Sequence, residues 1–367
     1  MNRSNMIVLF GIVSILCVGC SETPSIEIVV TEAEEAPVVP DSVSRWIDWA
    51  ERSGDGLWED GSHRFVLRES MVYGGQEFPP FYNVDGFCFK GDTLLVSDPA
   101  DQAVAAVSVD TGDLLWKAGE SGEGPGMFSG ICEIAAGPSE IAVCELGNNR
   151  VSLMNFQGDF VTSIPVQCPF DVMWSGDTLF ILSLAESKPL NMYSASGEFL
   201  GSCGELPEEL GYISYSNRHL HGVVAPDGSV LVISRFVGGI WKIDPATGAT
   251  ELFADIAFPQ GEMVNDLASG SFMVLSRDIF IGPDGMLNVI LPVFSENGGP
   301  YSGNDGEMQN TTAVHRYNWD GQYLDSWIID GTVGIVLMHN GQLYSADRYA
   351  DGVVIAHDIV PLNQGSE

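Results

Sequence analysis

Basic residues are scarce in this chain. Lysine and arginine together number 15, against 50 aspartates and glutamates, for a formal charge of −35. Only four of the basic residues are lysines: Lys90, Lys117, Lys188 and Lys242. Because nucleic-acid binding requires Lys/Arg patches, this balance excludes nucleic acid as a partner. The same charge repels anionic lipid, so association with a membrane requires an anchor. Two interpretations of the acidity stay open: it keeps the protein soluble, or it recruits cations or basic partners.

Catalytic signatures are also missing. The sequence contains no G-x-S-x-G, no H-E-x-x-H, no P-loop and no EF-hand loop. Residues 122–126 superficially match a dinucleotide-binding loop, but no βαβ pattern follows, so we interpret this glycine-rich run as a linker. The sequence therefore favours a protein that is not an enzyme.

No apolar run is long enough to span a bilayer, which takes about 20 residues. The longest, residues 6–18, follows Arg3 and ends before the small residue Gly19. A basic start, a short apolar stretch and a small residue are typical of a signal peptide, which we assign to residues 1–19. The sequence thus predicts export.

The end of this signal resembles the lipobox of bacterial lipoproteins, carried by Leu16-Cys17-Val18-Gly19-Cys20. Cys17 stands where the lipobox usually has an aliphatic residue. The resemblance implies that Cys20 becomes the acylated first residue and holds the protein to a membrane of the cell envelope. Lipid attachment would be the only contact with the membrane.

Five cysteines remain after processing: Cys88, Cys132, Cys144, Cys168 and Cys203. This odd number permits at most two disulfides. Cys132 and Cys144 flank a predicted hairpin symmetrically and are candidates for a bridge, although burial as small apolar residues is the favoured alternative.

Residues 20–61 form an acidic tether in our interpretation, because they show no sustained hydrophobic period. Trp46, Trp49 and Trp58 are costly to expose to water, so we expect part of the tether to pack on the following domain. That domain spans residues 62–363, and residues 364–367 are a tail.

Short apolar strands alternate with turn dipeptides along residues 62–363, and the turns form two series. The first series is Gly91-Asp92, Pro138-Ser139, Gly176-Asp177, Asp227-Gly228, Asp284-Gly285 and Asn340-Gly341. The second series is Thr111-Gly112, Gln157-Gly158, Ser196-Gly197, Thr247-Gly248 and Asp320-Gly321. Gly, Asn and Asp tolerate the positive φ of tight hairpins, so both series predict strand-to-strand turns.

The turn count predicts an all-β fold, a six-bladed β-propeller. The repeat of about 40 to 57 residues fits blades of four strands. Six turns of the first series but only five of the second leave the last blade one strand short. Residues 64–73 supply that strand most economically, so an N-terminal strand is predicted to complete the last blade and close the ring.

Blade two resembles an NHL-type repeat through Gly122-Glu-Gly-Pro-Gly-Met-Phe128, Ile141-Ala-Val-Cys-Glu145 and Asn148-Asn-Arg-Val151. Together with the lipobox and the acidic tether, the six blades resemble bacterial six-bladed β-propeller lipoproteins over residues 62–363. The resemblance implies the fold and the envelope location, but no ligand. The six-bladed fold also includes lactonases and lyases with a channel metal held by Glu, Asn and Asp.

Two insertions interrupt the repeat, at residues 207–218 and 295–309. Insertions in such repeats usually emerge on one face, often the binding face. The second insertion carries the hard oxygen donors Glu296, Asn304, Asp305 and Glu307, which are candidate calcium ligands. A merely solvated loop is the favoured alternative, and calcium is the only candidate cofactor.

His219 and His221 are the best metal-like feature elsewhere, since strand alternation puts both imidazoles on one face at the start of an inner strand. No third ligand is evident, so structural histidines are favoured. Arg218 and Arg235 are candidates for holding an anion nearby. Asp98, Glu145 and Asp347 recur where the second strand of a blade ends, and we expect them to accept hydrogen bonds from loop amides.

These observations favour an envelope-anchored lipoprotein whose propeller is a non-catalytic binding module for a protein, peptide or glycan. The alternative is a metal-dependent, calcium-type hydrolase or lyase acting in the central channel. A purely structural surface component is the third hypothesis.

Overall fold

The turn and strand pattern is realised as six four-stranded antiparallel sheets in a computed structural model of the chain. It describes residues 65–74, 81–185, 187–206, 219–256, 276–282, 284–292, 311–330, 333–346 and 352–361. Every regular element in these ranges is a strand, and no helix there has the length and apolarity to cross a membrane. The predicted six-bladed β-propeller is confirmed.

Each blade is a meander whose first strand is innermost. Blade one contains β2 (Gly86–Lys90), β3 (Thr93–Asp98), β4 (Ala103–Ser108) and β5 (Leu114–Ala118). Blade two contains β6 (Ile131–Ala136), β7 (Ile141–Glu145), β8 (Arg150–Met154) and β9 (Phe160–Pro165). Blade three contains β10 (Pro169–Ser175), β11 (Thr178–Ser183), β12 (Leu190–Ser194) and β13 (Phe199–Cys203).

The second half of the ring repeats this order. Blade four contains β14 (Leu220–Val224), β15 (Val230–Ser234), β16 (Val237–Ile243) and β17 (Thr250–Asp255). Blade five contains β18 (Asp278–Ile281), β19 (Leu287–Pro292), β20 (Thr311–Tyr317) and β21 (Tyr323–Asp330). Blade six contains β22 (Ile335–His339), β23 (Gln342–Ala346), β24 (Val353–Pro361) and, outermost, β1 (Phe65–Gly74).

The N-terminal strand closes the ring as predicted. β1 pairs antiparallel with β24 from Phe65↔Pro361 to Gly74↔Val353. Tyr73 is buried, and its hydroxyl donates a 2.7 Å hydrogen bond to the carbonyl oxygen of Val109 in blade one. The outer strand of blade six thus comes from the other end of the domain, which is why this blade has no second-series turn.

Second-series glycines rest on the outer strand of the preceding blade. A Cβ added at Gly158 would lie 2.9 Å from the Trp116 ring, and one at Gly112 would lie 3.0 Å from the Met71 side chain. Both glycines also have positive φ, 89° and 74°. The turn glycines thus allow positive φ and also allow neighbouring blades to approach closely.

The hydrophobic core lies between blades. One cluster joins Tyr73, Phe81 and Phe87 to Tyr344 and Val354, so it links blade six to blade one. The five cysteines of the propeller are all free, and Cys132 and Cys144 are buried. The favoured interpretation of these two residues as small buried groups is confirmed.

The acids at the ends of second strands differ from one another. Asp98 accepts hydrogen bonds from backbone amides, as predicted. Glu145 instead accepts from the side chains of Asn148, Arg150 and Ser152. Asp347 lies outside the described residues.

Arg150 joins two parts of the blade-two sequence, the start of β8 and the linker that precedes β6. Its guanidinium donates to the carbonyl oxygens of Glu123, Gly124 and Met127 at 2.9, 3.1 and 2.6 Å. Arg150 therefore holds the 122–128 linker against the sheet.

We expect the closing blade to be acid-sensitive through His339 and His357. Burial lowers the pKa of both imidazoles, an effect partly opposed at His339 by the Gly91 backbone and the Asp92 charge, and at His357 by the Glu69 charge. The unfolded chain then binds more protons near pH 6, so this stability is present above about pH 6.5 and decreases as pH falls through the lowered pKa values. Urea midpoints at about pH 7.5 and about pH 5.5 measure the loss.

The matched variant for this prediction is His357→Gln, which keeps a polar partner for the Ser345 hydroxyl, 2.8 Å from His357 Nε2. We expect it to reduce the decrease in stability between the two pH values. An unchanged decrease in both His357→Gln and His339→Gln would contradict the assignment.

Candidate functional site

His219 and His221 lie at the start of the inner strand of blade four. His219 precedes β14 with a φ of 43°, and His221 is buried within the strand. Both rings contact the Phe170 ring edge-on, with centroids 4.9 and 5.2 Å away. The two imidazoles therefore lie against one aromatic ring, but His219 has a positive φ and precedes β14, so the strand alternation from which we predicted a shared face does not apply to it.

The other predicted site residues are only partly described. Arg235 directly follows β15, and its backbone amide donates to the carbonyl oxygen of His219 at 3.1 Å. Arg218 and the candidate calcium ligands Glu296, Asn304, Asp305 and Glu307 lie outside the described residues. Their roles stay predictions.

Two acids from neighbouring inner strands join His221. Glu133 Oε1 on β6 lies 3.7 Å from His221 Nδ1. Asp171 on β10 accepts hydrogen bonds from the backbone amides of Val172 and Gly222, at 2.7 and 2.8 Å. Because Gly222 belongs to blade four, the Asp171 carboxylate ties blade three to blade four.

The acids are positioned by irregularities in their strands. The register of β6 with β7 shifts between Ile131 and Ile134, and that of β10 with β11 shifts between Pro169 and Asp171. Such bulges redirect side chains locally. Gly86 on β2 makes room for Glu133, since a Cβ there would lie 2.6 Å from its Oε2 and 3.0 Å from its Cα.

Blade five extends the polar group around the ring. Asp278, at the start of β18, accepts a 2.8 Å hydrogen bond from the amide of Ile279. Arg277 donates through Nη1 to the carbonyl oxygen of Val333 at 3.0 Å, next to blade six. We call Glu133, Asp171, His221, Arg277 and Asp278 the channel mouth, since all lie where inner strands begin.

Burial keeps the thiols of Cys144 and Cys88, near these acids, in the protonated form. Burial raises the pKa of the Cys144 thiol well above its ordinary value, and a hydrogen bond with Cys132 and the charges of Asp171 and Glu133 raise it further. Burial, with a smaller contribution from Glu133, also raises the pKa of Cys88. These cysteines are poor nucleophiles in this setting.

The channel mouth contains the Glu133–His221 pair, and the Phe170 ring packs against His221. Hydrogen bonds between neighbouring blades surround them. In the part of the chain that the structure describes, no three His, Cys, Asp or Glu side chains converge as metal ligands do. Sequence reasoning missed Glu133 and Asp171, yet a signal exists: each is an acid with apolar residues on both sides within its strand.

No known protein family matches this sequence, and no curated protein is related to it closely enough to match. The fold is similar to that of a DUF4221 family member from Bacteroides vulgatus, with a TM-score of 0.54 and 9% identity over 82% of this chain and 100% of that one. It is similar to a protein of Bacteroides fragilis assigned as exported, with a TM-score of 0.52 and 10% identity over 81% and 96%.

A third similar structure is a catalytically inactive histidine-to-alanine variant of virginiamycin B lyase from Staphylococcus aureus with quinupristin. Its TM-score is 0.51, at 12% identity over 82% of this chain and 89% of that one. At such identities the likeness concerns the fold alone.

Proposed function

We propose that this chain is an exported lipoprotein, anchored to the cell envelope through Cys20, whose propeller is a non-catalytic binding module for a protein, peptide or glycan. Its working face is the channel-mouth face. Export is supported by the signal-like residues 1–19 and by the assignment of the similar Bacteroides fragilis protein as exported. The acidic surface makes the lipid anchor the sole contact with the membrane.

The observation that carries the binding role is the position of the longest connections. Residues 207–218 and 257–275 each join the end of an outer strand to the next inner strand, and residues 293–310 join β19 to β20. Because every blade has the same strand order, the described ends of all three connections lie on the channel-mouth face. Long loops on one face of a rigid scaffold are a common design for recognition.

The buried polar groups of the channel mouth support a scaffold role rather than chemistry. Asp171 is engaged by the amides of Val172 and Gly222, and Arg277 is engaged by the carbonyl of Val333. These bonds fix the relative positions of neighbouring blades, so the described ends of the connections on this face are held by a rigid frame.

The test replaces residues 295–309 with a short Gly/Ser linker and compares envelope partners after chemical crosslinking. We expect a partner that is crosslinked to the wild type and to an Asp92→Asn turn variant on the opposite face, but not to the shortened variant. Equal crosslinking of all three proteins would refute recognition by the channel-mouth face.

A second candidate function is a calcium-type hydrolase or lyase acting in the channel. The observation that favours it is the approach of Glu133 Oε1 to His221 Nδ1, 3.7 Å, because a carboxylate that orients an imidazole is a common general-base arrangement. The similar lyase, whose histidine-to-alanine variant is inactive, is a precedent for histidine chemistry on this fold. Two results together would refute the calcium-dependent form of this candidate: the protein contains no metal after purification, and neither calcium nor EDTA changes its melting temperature.

A further inference from the structure

The outermost strand of every blade carries an exposed apolar side chain. One member from each outer strand, in chain order, is Val72, Leu115, Val161, Leu200, Leu252 and Leu324. Isolated exposed apolar residues are ordinary, but recurrence at one structural position is not. Among the described residues, Tyr82 is the only comparably exposed large apolar side chain away from these strands.

Four of these residues occupy the same local geometry. Leu115, Val161, Leu200 and Leu324 each lie three positions after a second-series turn glycine, at a register shift where the outer strand has one unpaired residue. Their exposed fractions range from 41% to 54%. A bulge disrupts the regular hydrogen-bonding edge of an outer strand, so another strand pairs with that edge less readily. Here it also presents an aliphatic side chain to solvent.

An acid accompanies the aliphatic residue in three consecutive blades. The exposed residue directly after the turn glycine is Asp113 in blade one, Asp159 in blade two and Glu198 in blade three. We call Asp113, Leu115, Asp159, Val161, Glu198 and Leu200 the outer rim. It lies where outer strands begin, at the face opposite the channel mouth.

Blade four breaks the aliphatic pattern but keeps the charge. The position three after its turn glycine is Glu251, which lines a groove of about 440 Å³ together with Asp227, Lys242 and Asp244. Lys242 Nζ lies 2.8 Å from Asp227 Oδ2. With three acids and one lysine, the groove carries a net charge of −2. The acidic character of the rim therefore continues beyond blade three.

We propose that the outer rim binds a cationic amphipathic segment of another polypeptide, with its aliphatic side chains on Leu115, Val161 and Leu200 and its Lys or Arg side chains on the adjacent acids. Charge complementarity selects this occupant. A second copy of the chain would bring its own charge of −35 against the same acids, and phosphate-bearing lipid would be repelled by them. This surface is separate from the channel-mouth face and does not depend on the function proposed for that face.

The probe is a synthetic Leu/Lys amphipathic peptide, with a Leu/Glu peptide of the same apolar pattern as its control, titrated against purified protein at about 0.15 M salt. We expect saturable binding of the Leu/Lys peptide only. The aliphatic variant Leu115→Ser/Val161→Ser/Leu200→Ser should bind it about tenfold more weakly or worse. The acidic variant Asp113→Asn/Asp159→Asn/Glu198→Gln should lose a similar factor and most of the salt dependence.

A strongly acidic protein attracts cationic peptides non-specifically, so the deciding control removes the same charge elsewhere. Glu120→Gln/Glu123→Gln/Glu205→Gln neutralises three exposed acids in connections that lead into inner strands, at the channel-mouth face. We expect this variant and Tyr82→Ser to bind within about twofold of wild type, with circular dichroism and melting temperature checking the fold of each variant.

Three results would overturn the proposal: equal weakening in the two charge variants, undiminished binding by the aliphatic variant, or absence of saturable binding. Self-association or vesicle retention that the aliphatic variant abolishes would assign the rim to a second copy or to lipid instead.

Discussion

A chain that begins at residue 75 is expected to lose cooperative unfolding, because it lacks the outer strand of blade six. β1 pairs with β24 along its length, and Tyr73 fills the core between blades six and one. Removing one large buried side chain costs about 3–5 kcal/mol, and this truncation removes a strand ladder as well. The expected loss exceeds about 5 kcal/mol, comparable with the whole stability of a typical domain. Thermal and urea unfolding, with light scattering for aggregation through the exposed β24 edge, measure it.

The matched control is a chain that begins at residue 62 and keeps β1 while lacking the tether. We expect it to unfold cooperatively, with a smaller loss of stability than the chain that begins at residue 75, since it loses only the packing expected of the tether tryptophans. A peptide of residues 62–75, added to the chain that begins at residue 75, should restore part of the lost stability by occupying the vacant edge. If the chains beginning at 62 and 75 unfold at the same temperature, ring closure by β1 contributes nothing measurable.

This closure was predictable because turn chemistry is local. Asn340-Gly341 marks the first hairpin of blade six as clearly as any other, and its positive φ values of 47° and 81° follow from residue type. The absence of a matching second-series turn then required a strand from elsewhere. Residues 64–73 were the economical source, and the observed strand, Phe65–Gly74, differs from the predicted one by a single residue at each end.

The channel mouth was not predictable in the same way, because it depends on register. Glu133 and Asp171 reach His221 and Gly222 through bulges that shift the pairing of β6 and β10. A bulge adds one residue to one strand, and the sequence pattern on either side still alternates normally. The space that Glu133 occupies exists only because Gly86 lies on the adjacent blade, a relation between residues far apart in sequence.

The similar structures also separate the fold, which the sequence pattern predicts, from the particular side chains that join the blades. Identities of 9% to 12% accompany a shared ring of blades, so few particular side chains are needed for the fold. Turn glycines with positive φ and buried apolar strand residues recur from blade to blade. Side chains such as Asp171 and Arg277 then join one blade to the next, and the residues that do so differ between blades of this single chain.

Asp98→Asn is expected to destabilise the protein by about 2–4 kcal/mol, since it disrupts a buried, fully engaged carboxylate. Asp98 is fully buried, and its oxygens accept from the amides of Tyr82, Asn83 and Ala100 at 3.0, 3.2 and 3.1 Å. Lys117 Nζ lies 3.3 Å from Oδ2. Asparagine is nearly isosteric, but it replaces one acceptor oxygen with an NH₂ group that faces N–H donors. Urea unfolding should move the midpoint without changing the slope.

Asp101→Asn provides the matched control, because Asp101 shares Lys117 with Asp98. Its carboxylate lies 2.6 Å from the same Nζ but is 42% exposed, and exposed pairs contribute about 0–1 kcal/mol. Burial lowers the pKa of Lys117, but the Asp101 hydrogen bond and the Asp98 charge raise it overall, so both acids favour the charged lysine. Only Asp98 also holds residues 82 and 83, which lead into the inner strand of blade one. Equal losses of stability in the two variants would contradict this. Asp98 would then contribute through its pairing with Lys117, and not through its hydrogen bonds to the amides of residues 82 and 83.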